Sequence, residues 1–181
     1  PHVHRERYRM TSSLPLQDID LDVGGTRLEA RLLGTVARDR TVLVFLHEGL
    51  GCVAMWRQFP AHLCAALELP GLVYSRAGYG GSQAAVLPRT PGFMHHEAAI
   101  VLPQLLQAAG IARAILVGHS DGGSIALIHA AALPDRVAGV VVMAPHEFVE
   151  EKALAGIRLA GESYAHSDWP QKLARYHRDP D

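Results

Sequence analysis

Residues 114–132 read AILVGHSDGGSIALIHAAA, and this stretch decides the fold. The apolar run 115–117 is typical of a strand buried on both faces. Gly118 and Gly122 flank Ser120 in the pattern G-x-S-x-G, and an apolar segment of helical length follows. In this context the pattern predicts a sharp strand–turn–helix bend that lifts the Ser120 hydroxyl clear of the sheet, above helix N-terminal amides able to stabilise an oxyanion. The alternative is a glycine-rich turn with a passive serine.

Length and composition set broad limits on the protein. The chain has 181 residues, enough for one domain with a sizeable core, and a formal net charge of −1. Because there is no basic block, we expect no nucleic acid partner. No apolar run approaches the ~20 residues that cross a bilayer, and the basic first ten residues do not read as a signal peptide. Two cysteines, Cys52 and Cys64, fit a reduced cytoplasmic setting.

Predicted strands and helices alternate along the chain. The other strands are expected at 16–23, 27–33, 41–46, 72–74 and 137–143, with a hairpin turn at Gly24-Gly25. Helices are expected at about 54–67, at 94–109, from the bend to Leu133, and twice after about residue 149. An antiparallel hairpin followed by strand–helix units predicts an α/β fold: a doubly wound, mostly parallel sheet with helices on both faces.

Such sheets carry their chemistry at the carboxyl ends of their strands. Four loops with conspicuous polar residues follow strands at that edge. One of them contains Arg76, to which we assign no contact with the substrate. We therefore expect substrate contacts from residues in the other three loops, namely His47, Glu48, Leu50, His119 and His146.

Three motifs, in this order, resemble the α/β-hydrolase family: L-H-E-G-L-G after the third strand, S-R-A-G-Y-G-G-S after the fourth and G-H-S-D-G-G after the fifth. The nearest resemblance is to bacterial esterase-like members that carry H-E-G-L-G and A-P-H-E-F. The resemblance implies Ser120 as nucleophile and an oxyanion hole from the N–H groups of Asp121 and Gly49. It also implies an acyl-enzyme intermediate, a small-molecule acyl substrate, and no metal or other cofactor.

Glu48 departs from the commoner family pattern, which has glycine at that position. A carboxylate so close to the oxyanion site opposes the developing negative charge unless it points away or pairs with a cation. We therefore expect Glu48 to be a structural hydrogen-bonding partner or a group that orients the substrate, rather than a general base.

A second departure concerns the end of the chain. The family has two more strands after its lid helices, and these bear the catalytic acid and then the catalytic histidine. The sequence ends at Asp181, so the resemblance implies a hydrolase core at 13–148 that lacks its C-terminal strands, with lid helices beginning at 149–181. Residues 1–12 are expected to be a disordered or non-native leader. The catalytic base is expected beyond residue 181, which predicts little or no turnover by this chain alone.

Histidines within the chain offer a substitute base. His129 lies in mid-helix, too far along to take the proton of Ser120. His146 follows the sixth strand at the appropriate edge of the sheet, whereas the sequence does not place His166 or His177. The apolar residues of the last segment are expected either to line an acyl pocket or to pack within a lid. No histidine spacing typical of a zinc site occurs, and no complete dinucleotide or phosphate-loop motif is present.

The leading functional hypothesis is a serine hydrolase of carboxylic esters or related acyl compounds. One alternative is a catalytically silent binding module that pairs with another chain through the bare edge of the sixth strand. Another is acyl transfer or C–C bond hydrolysis on the same scaffold. The sequence does not fix the substrate or the oligomeric state.

Overall fold

The structure of the protein is a computed structural model that describes residues 14–178, so the leader predicted at 1–12 lies outside the described residues. Six strands form one sheet in the order β1-β2-β4-β3-β5-β6. Their bounds are Leu16–Val23 (β1), Thr26–Leu33 (β2), Val42–Leu46 (β3), Gly71–Tyr74 (β4), Ala114–His119 (β5) and Val137–Met143 (β6). β1, β2 and β4 are antiparallel neighbours, whereas β4, β3, β5 and β6 run parallel.

Helices connect the strands from β3 onward. They are α1 (Phe59–Leu67), α2 (Phe93–His96), α3 (Leu102–Ala108), α4 (Asp121–Ala132), α5 (Glu151–His166) and α6 (Trp169–Leu173). Short 3-10 turns lie at Val53–Trp56 and Pro134–Arg136, and a π turn lies at Glu97–Val101. The predicted α/β fold is confirmed, with an N-terminal antiparallel hairpin ahead of the parallel strands.

Both faces of the sheet are covered, which explains why the central strands are apolar throughout. Every residue of β3 is buried, since a parallel strand with helices on both sides has no solvent face. One face packs against α3 and α4 through residues such as Leu102 and Ile125. The other packs against α1 through Phe45 and Cys64. This two-sided core holds the carboxyl ends of β3, β4, β5 and β6 at one edge.

Two predicted helices are interrupted. The helix expected at 54–67 divides into a 3-10 turn and α1, because Arg57 between them has a positive φ of 51°. The helix expected at 94–109 contains the π turn Glu97–Val101 just before Pro103. Proline has no N–H to donate to the preceding turn, so the helix widens there instead of continuing its regular hydrogen bonds.

The two helices expected after residue 149 are present as α5 and α6. α5 packs against α6, and its Ile157 and Leu159 remain 66% and 63% exposed. These side chains therefore do not line an enclosed acyl pocket. Beyond α6, His177 and Arg178 contact the loops at the sheet edge.

Candidate active site

Ser120 occupies a strained bend between β5 and α4. Its backbone angles are φ 51° and ψ −118°, a region that residues other than glycine rarely adopt. The Ser120 N–H donates to the Met143 carbonyl over 2.9 Å, which ties the bend to the end of β6. The strain is maintained by packing around the bend, and it holds the serine between strand and helix, partly exposed.

The flanking glycines allow that bend because backbone fills the space where side chains would lie. A Cβ on Gly118 would be 2.4 Å from the Gly122 carbonyl oxygen, and one on Gly122 would be 2.1 Å from the Leu46 carbonyl oxygen. Neither distance is compatible with any larger residue. The G-x-S-x-G spacing is thus a packing requirement between β5, α4 and β3.

An imidazole lies against the Ser120 hydroxyl. Oγ of Ser120 is 3.1 Å from Nε2 of His146, which follows β6. Ser124, one turn into α4, accepts from the His146 N–H (2.8 Å) and donates to the His146 carbonyl (2.9 Å). The backbone of His146 is therefore held to the same helix whose N-terminus carries the serine.

If the serine donates, Nε2 is the accepting nitrogen and the ring proton is on Nδ1. Within residues 14–178 no carboxylate is hydrogen-bonded to that second nitrogen. The described part of the chain thus contains a serine–histidine pair without the third, orienting group of a triad. His146 itself is exposed, so water has access to the pair.

The loop after β3, residues 47–51, is called the first loop. Within it the Glu48 carbonyl oxygen accepts from His47 Nδ1 (2.6 Å), Arg76 Nη2 (3.0 Å) and the Gly51 N–H (3.1 Å). A trans peptide is planar, so its N–H points opposite to its C=O. The N–H of Gly49 therefore points away from this buried cluster, and in residues 14–178 it has no hydrogen-bond acceptor.

The two residues expected to supply the oxyanion hole lie side by side. A Cβ on Gly49 would be 3.3 Å from Oδ2 of Asp121, the first residue of α4. The N–H of a first helical residue has no acceptor within its own helix. Two backbone donors are thereby available, one on Asp121 directly after Ser120 and one on Gly49 beside the Asp121 side chain.

Arg76 organises these loops, although the sequence analysis gave it no role. Its side chain is 1% exposed and donates to the carbonyl oxygens of His47 (2.5 Å) and Glu48 (3.0 Å). Nη2 also lies 3.8 Å from the Asp121 carboxylate. The sequence signal was its place in the S-R-A-G-Y-G-G-S motif at the end of β4, but its contacts depend on tertiary structure. The loop at residues 75–82 that contains this motif is called the second loop.

His47, which was expected to contact substrate, lies behind the first loop in this structure. The residue is fully buried, with Nδ1 donating to the Glu48 carbonyl and Nε2 accepting the Arg76 N–H over 3.0 Å. Burial, together with the charge of Arg76, lowers the pKa of His47 well below its usual value. His47 is thus a neutral support behind the first loop, because its ring fills the space between that loop and the end of β4.

Glu48 and His119 face each other at the mouth of a cleft. Nδ1 of His119 is 3.4 Å from Oε2 of Glu48, so the carboxylate is next to a group that becomes a cation when protonated. The cleft has a volume of about 370 Å³. It is mainly apolar, and its lining residues are Glu48, Met55, Trp56, Phe59, His119 and Met143. Leu50, also expected near the substrate, is 48% exposed on the first loop.

The remaining histidines after the bend lie away from the Ser120 hydroxyl. His129 is buried within α4, and its Nδ1 donates to the Ala98 carbonyl over 2.7 Å. His166 is exposed at the end of α5. His177 is 8% exposed and contacts both loops, a placement that the sequence did not predict.

Comparison with known proteins is consistent with this geometry. A model of the alpha/beta hydrolase fold family matches residues 41–180. The chain is 32% identical over 110 residues to the (lyso)-N-acylphosphatidylethanolamine lipase of Homo sapiens, which covers 61% of this chain and 32% of that protein. It is 30% identical over 159 residues to the 2-succinyl-6-hydroxy-2,4-cyclohexadiene-1-carboxylate synthase of Serratia proteamaculans, covering 84% and 59% respectively. The chain thus spans between about a third and three fifths of these relatives.

Solved structures show the same architecture. A predicted CIB-like hydrolase from Thermoplasma acidophilum aligns with a TM-score of 0.65 at 25% identity, over 73% of this chain and 64% of that one. The carboxylesterase CesB from Bacillus subtilis aligns with a TM-score of 0.63 at 20% identity, over 78% and 48%. The second likeness is one of fold alone. None of the helices in residues 14–178 combines the length and the apolar character that crossing a bilayer requires.

Proposed function

The chain belongs to the α/β-hydrolase family, and on that premise we propose that it is a serine hydrolase of carboxylic esters or related acyl compounds, acting through an acyl-enzyme on Ser120. The observation that carries the proposal is the strained bend at Ser120 with its Oγ 3.1 Å from Nε2 of His146. An exposed hydroxyl, an adjacent base and backbone donors next to it are the parts that acyl transfer needs.

In the acylation step, Oγ of Ser120 forms a bond to the carbonyl carbon while its proton passes to Nε2 of His146. The negative charge that develops on the carbonyl oxygen is stabilised by the N–H groups of Gly49 and Asp121. Collapse of this intermediate breaks the ester C–O bond. The leaving alcohol takes the proton from His146, which leaves the acyl group on Ser120 and the imidazole neutral.

Deacylation repeats the sequence with water. His146 accepts a proton from the attacking water, and it returns that proton to Oγ when the acyl–oxygen bond breaks. This step requires the imidazole to keep one orientation and one tautomer. Because no carboxylate in residues 14–178 holds Nδ1, we expect turnover about 10⁴-fold slower than with a complete triad.

From the sequence we expect little or no turnover, because the base is expected beyond residue 181. The contact between His146 and Ser120 refines this expectation. Here His146 is the base in both steps, and because no carboxylate in residues 14–178 holds it, both steps are slower than with a complete triad. With an activated ester, whose good leaving group makes acylation faster than deacylation, the proposal predicts a stoichiometric burst followed by a slow steady state.

The cleft beside Glu48 and His119 is the proposed site for the apolar part of the substrate. Its apolar walls suit an acyl chain or an aromatic leaving group, and Glu48 and His119 are the polar groups that orient it. The lipase relative, whose name describes action on an acylated lipid, supports the ester class.

A second candidate is acyl transfer or C–C bond hydrolysis on the same scaffold. It is kept because one relative, which aligns with 84% of this chain, is named a synthase and not a hydrolase. A third, the silent binding module, is favoured by the open edge of β6, where Val141 is 51% exposed. Light scattering coupled to gel filtration tests the third, since a monodisperse monomer contradicts pairing through that edge.

The test of the proposed function is a stopped-flow assay with para-nitrophenyl acetate. We expect a burst of one equivalent of nitrophenol per chain, and mass spectrometry should find the acetyl group on Ser120. Ser120→Ala is expected to lose the burst, whereas replacement of an exposed histidine on α2, His95→Ala, leaves it unchanged. A burst that persists in Ser120→Ala would contradict the proposal. A chain that forms no acyl-enzyme, but binds acyl compounds, would favour the silent module.

A further inference from the structure

A histidine from the end of the chain lies between the two loops that form the site. His177 follows α6 and is 8% exposed. Its Nδ1 is 2.9 Å from the N–H of Gly80 in the second loop, and its Nε2 is 3.1 Å from the carbonyl oxygen of Leu50 in the first loop. Its ring also packs edge-on against the ring of Tyr79, with centroids 5.8 Å apart. One imidazole thus joins two loops that are distant in sequence.

The two contacts fix the chemical form of that imidazole. A backbone N–H can only donate, so Nδ1 accepts from Gly80 and carries no proton. A carbonyl oxygen can only accept, so Nε2 carries the proton and donates to Leu50. Both bonds therefore require the neutral ring with its proton on Nε2.

The polypeptide around His177 is attached to the second loop as well. The N–H of Arg178 donates to the carbonyl oxygen of Gly80 over 2.9 Å, so Gly80 is bonded through both of its backbone groups. Gly80 has a positive φ of 55°, and a Cβ there would lie 2.2 Å from the Glu29 carboxylate. Glycine is thus required at the point where the C-terminal segment docks.

The contact with Leu50 matters because of what lies beside it. His177 holds the carbonyl oxygen of the Leu50–Gly51 peptide. The N–H of that same peptide donates to the Glu48 carbonyl oxygen over 3.1 Å, and this oxygen also accepts from His47 and Arg76. The Glu48 carbonyl and the Gly49 N–H belong to one planar peptide. By holding the Leu50–Gly51 peptide, His177 therefore also restrains the direction of the Gly49 N–H. Leu50 itself is exposed, so no side-chain burial replaces this restraint.

We propose that His177 is a positioning residue that holds the first loop through the Leu50 carbonyl and so keeps the Gly49 N–H directed at the oxyanion. This role rests on the proposed function of Ser120. His177 does not touch the reacting atoms. Its bond to Leu50 sets the loop, whereas its bond to Gly80 anchors the ring to the second loop.

The two bonds can be tested separately, because two amide side chains each reproduce one of them. The Nε2 donor of glutamine replaces that of the imidazole toward Leu50, and the Oδ1 acceptor of asparagine replaces Nδ1 toward Gly80. The assay is the rate of covalent labelling by a fluorophosphonate, which requires both the serine and the oxyanion donors but no turnover. Concentration dependence separates the maximal labelling rate from the apparent affinity for the probe.

We expect His177→Ala and His177→Asn to lower the maximal labelling rate about tenfold, part of the ~10²–10³-fold cost of losing an oxyanion donor outright. The apparent affinity for the probe should stay within about twofold. His177→Gln should retain most of the rate. The control His166→Gln, at an exposed position on α5, should match the native chain.

Melting temperatures of all four variants exclude a merely structural role. The proposal would be overturned if the labelling rate followed the melting temperature in every variant. It would also be overturned if His177→Asn were labelled faster than His177→Gln, or if no variant changed the rate. If His177→Ala does not fold, the comparison of His177→Asn with His177→Gln still tests the proposal. A native chain that leaves Ser120 unlabelled would overturn the proposed function and with it this role. Hydrogen exchange of the Gly80 N–H reports separately on the bond between Gly80 and His177. This N–H should be protected from exchange in the native chain and in His177→Asn.

Discussion

Ser124 holds His146 by two hydrogen bonds, accepting from its N–H over 2.8 Å and donating to its carbonyl over 2.9 Å. The Ser124 side chain is almost fully buried, so its hydroxyl has no ready substitute partner for these two bonds. The hydroxyl therefore fixes the segment after β6 against α4, and it places the His146 ring beside Ser120.

Ser124→Ala should slow acylation by an activated ester about tenfold or more, because the general base then loses its fixed place beside the nucleophile. It should also reduce the free energy of unfolding by about 1–3 kcal/mol, the cost of leaving buried polar groups unpaired. Burst kinetics and urea denaturation measure the two effects. A variant that is destabilised but acylates at the native rate would show that Ser124 has no part in positioning His146.

The glycines at the bend should respond very differently from glycines elsewhere. Gly122→Ala puts a methyl group 2.1 Å from the Leu46 carbonyl oxygen, and we expect it to cost about 3 kcal/mol or more or to prevent folding. The matched control is Gly161→Ala in α5, where nothing lies within 4 Å of the new Cβ. That change should stabilise the protein by up to about 1 kcal/mol. Equal effects of the two substitutions on thermal unfolding would contradict the described packing.

Three histidines with lowered pKa values predict loss of stability in mild acid. Burial lowers the pKa of His47, His129 and His177 below the ordinary 6.5, so the unfolded chain binds more protons than the folded one. Their contribution to the free energy of unfolding is fully present above pH 6.5 and is lost as the pH falls below that value.

The free energy of unfolding, measured with urea between pH 7.5 and pH 5, should decrease by up to ~1.4 kcal/mol per pH unit for each histidine. His129→Asn keeps a donor for the Ala98 carbonyl and should reduce this slope by the contribution of one histidine. His62→Asn, at an exposed position on α1, should leave the slope unchanged. Stability that stays level across this range would refute the neutral, buried state of these rings.

Glu97 predicts the opposite dependence on pH. Its Oε2 is buried and has no hydrogen-bond partner within residues 14–178. Burial raises the pKa of the carboxyl above 4.5, despite the opposing charges of Arg76 and Arg89. The folded state therefore favours the protonated acid, and stability is lost as the pH rises from about 4.5 through the raised pKa.

Glu97→Gln removes this charge, so we expect the variant to be more stable than the native chain at pH 7, by roughly 1 kcal/mol. Below pH 4.5, where the native carboxyl is protonated, the difference should disappear. The measurement is urea denaturation at both pH values. A variant that is less stable than the native chain at pH 7 would show that the carboxylate is charged and paired in the folded state.

Much of the fold could be predicted from the sequence because its signals are local. The apolar run before Gly118, the glycine spacing around Ser120 and the turn at Gly24-Gly25 each constrain the backbone over a few residues. β1 and β6 have the predicted bounds, and the other strands differ by one or two residues at either end. The interruption before Pro103 was missed because a single proline does not specify how a helix accommodates it.

The site was less predictable, because its contacts join residues far apart in the chain. His146 is 26 positions from Ser120, and His177 is 97 positions from Gly80, so no spacing rule brings either pair together. His47 was expected at the substrate because it begins a motif at a strand end. The structure instead buries it, since Arg76 supplies a backbone donor to its ring from the second loop. Buried hydrogen-bonding networks of this kind are set by tertiary packing.

The most direct test of the account is fluorophosphonate labelling of the native chain, followed by proteolysis and mass spectrometry to locate the label. The account predicts one adduct per chain on Ser120, no adduct in Ser120→Ala, and labelling slowed about 10²–10⁴-fold in His146→Ala. An unlabelled Ser120 in the folded native chain, or a labelling rate unaffected by the loss of His146, would contradict it.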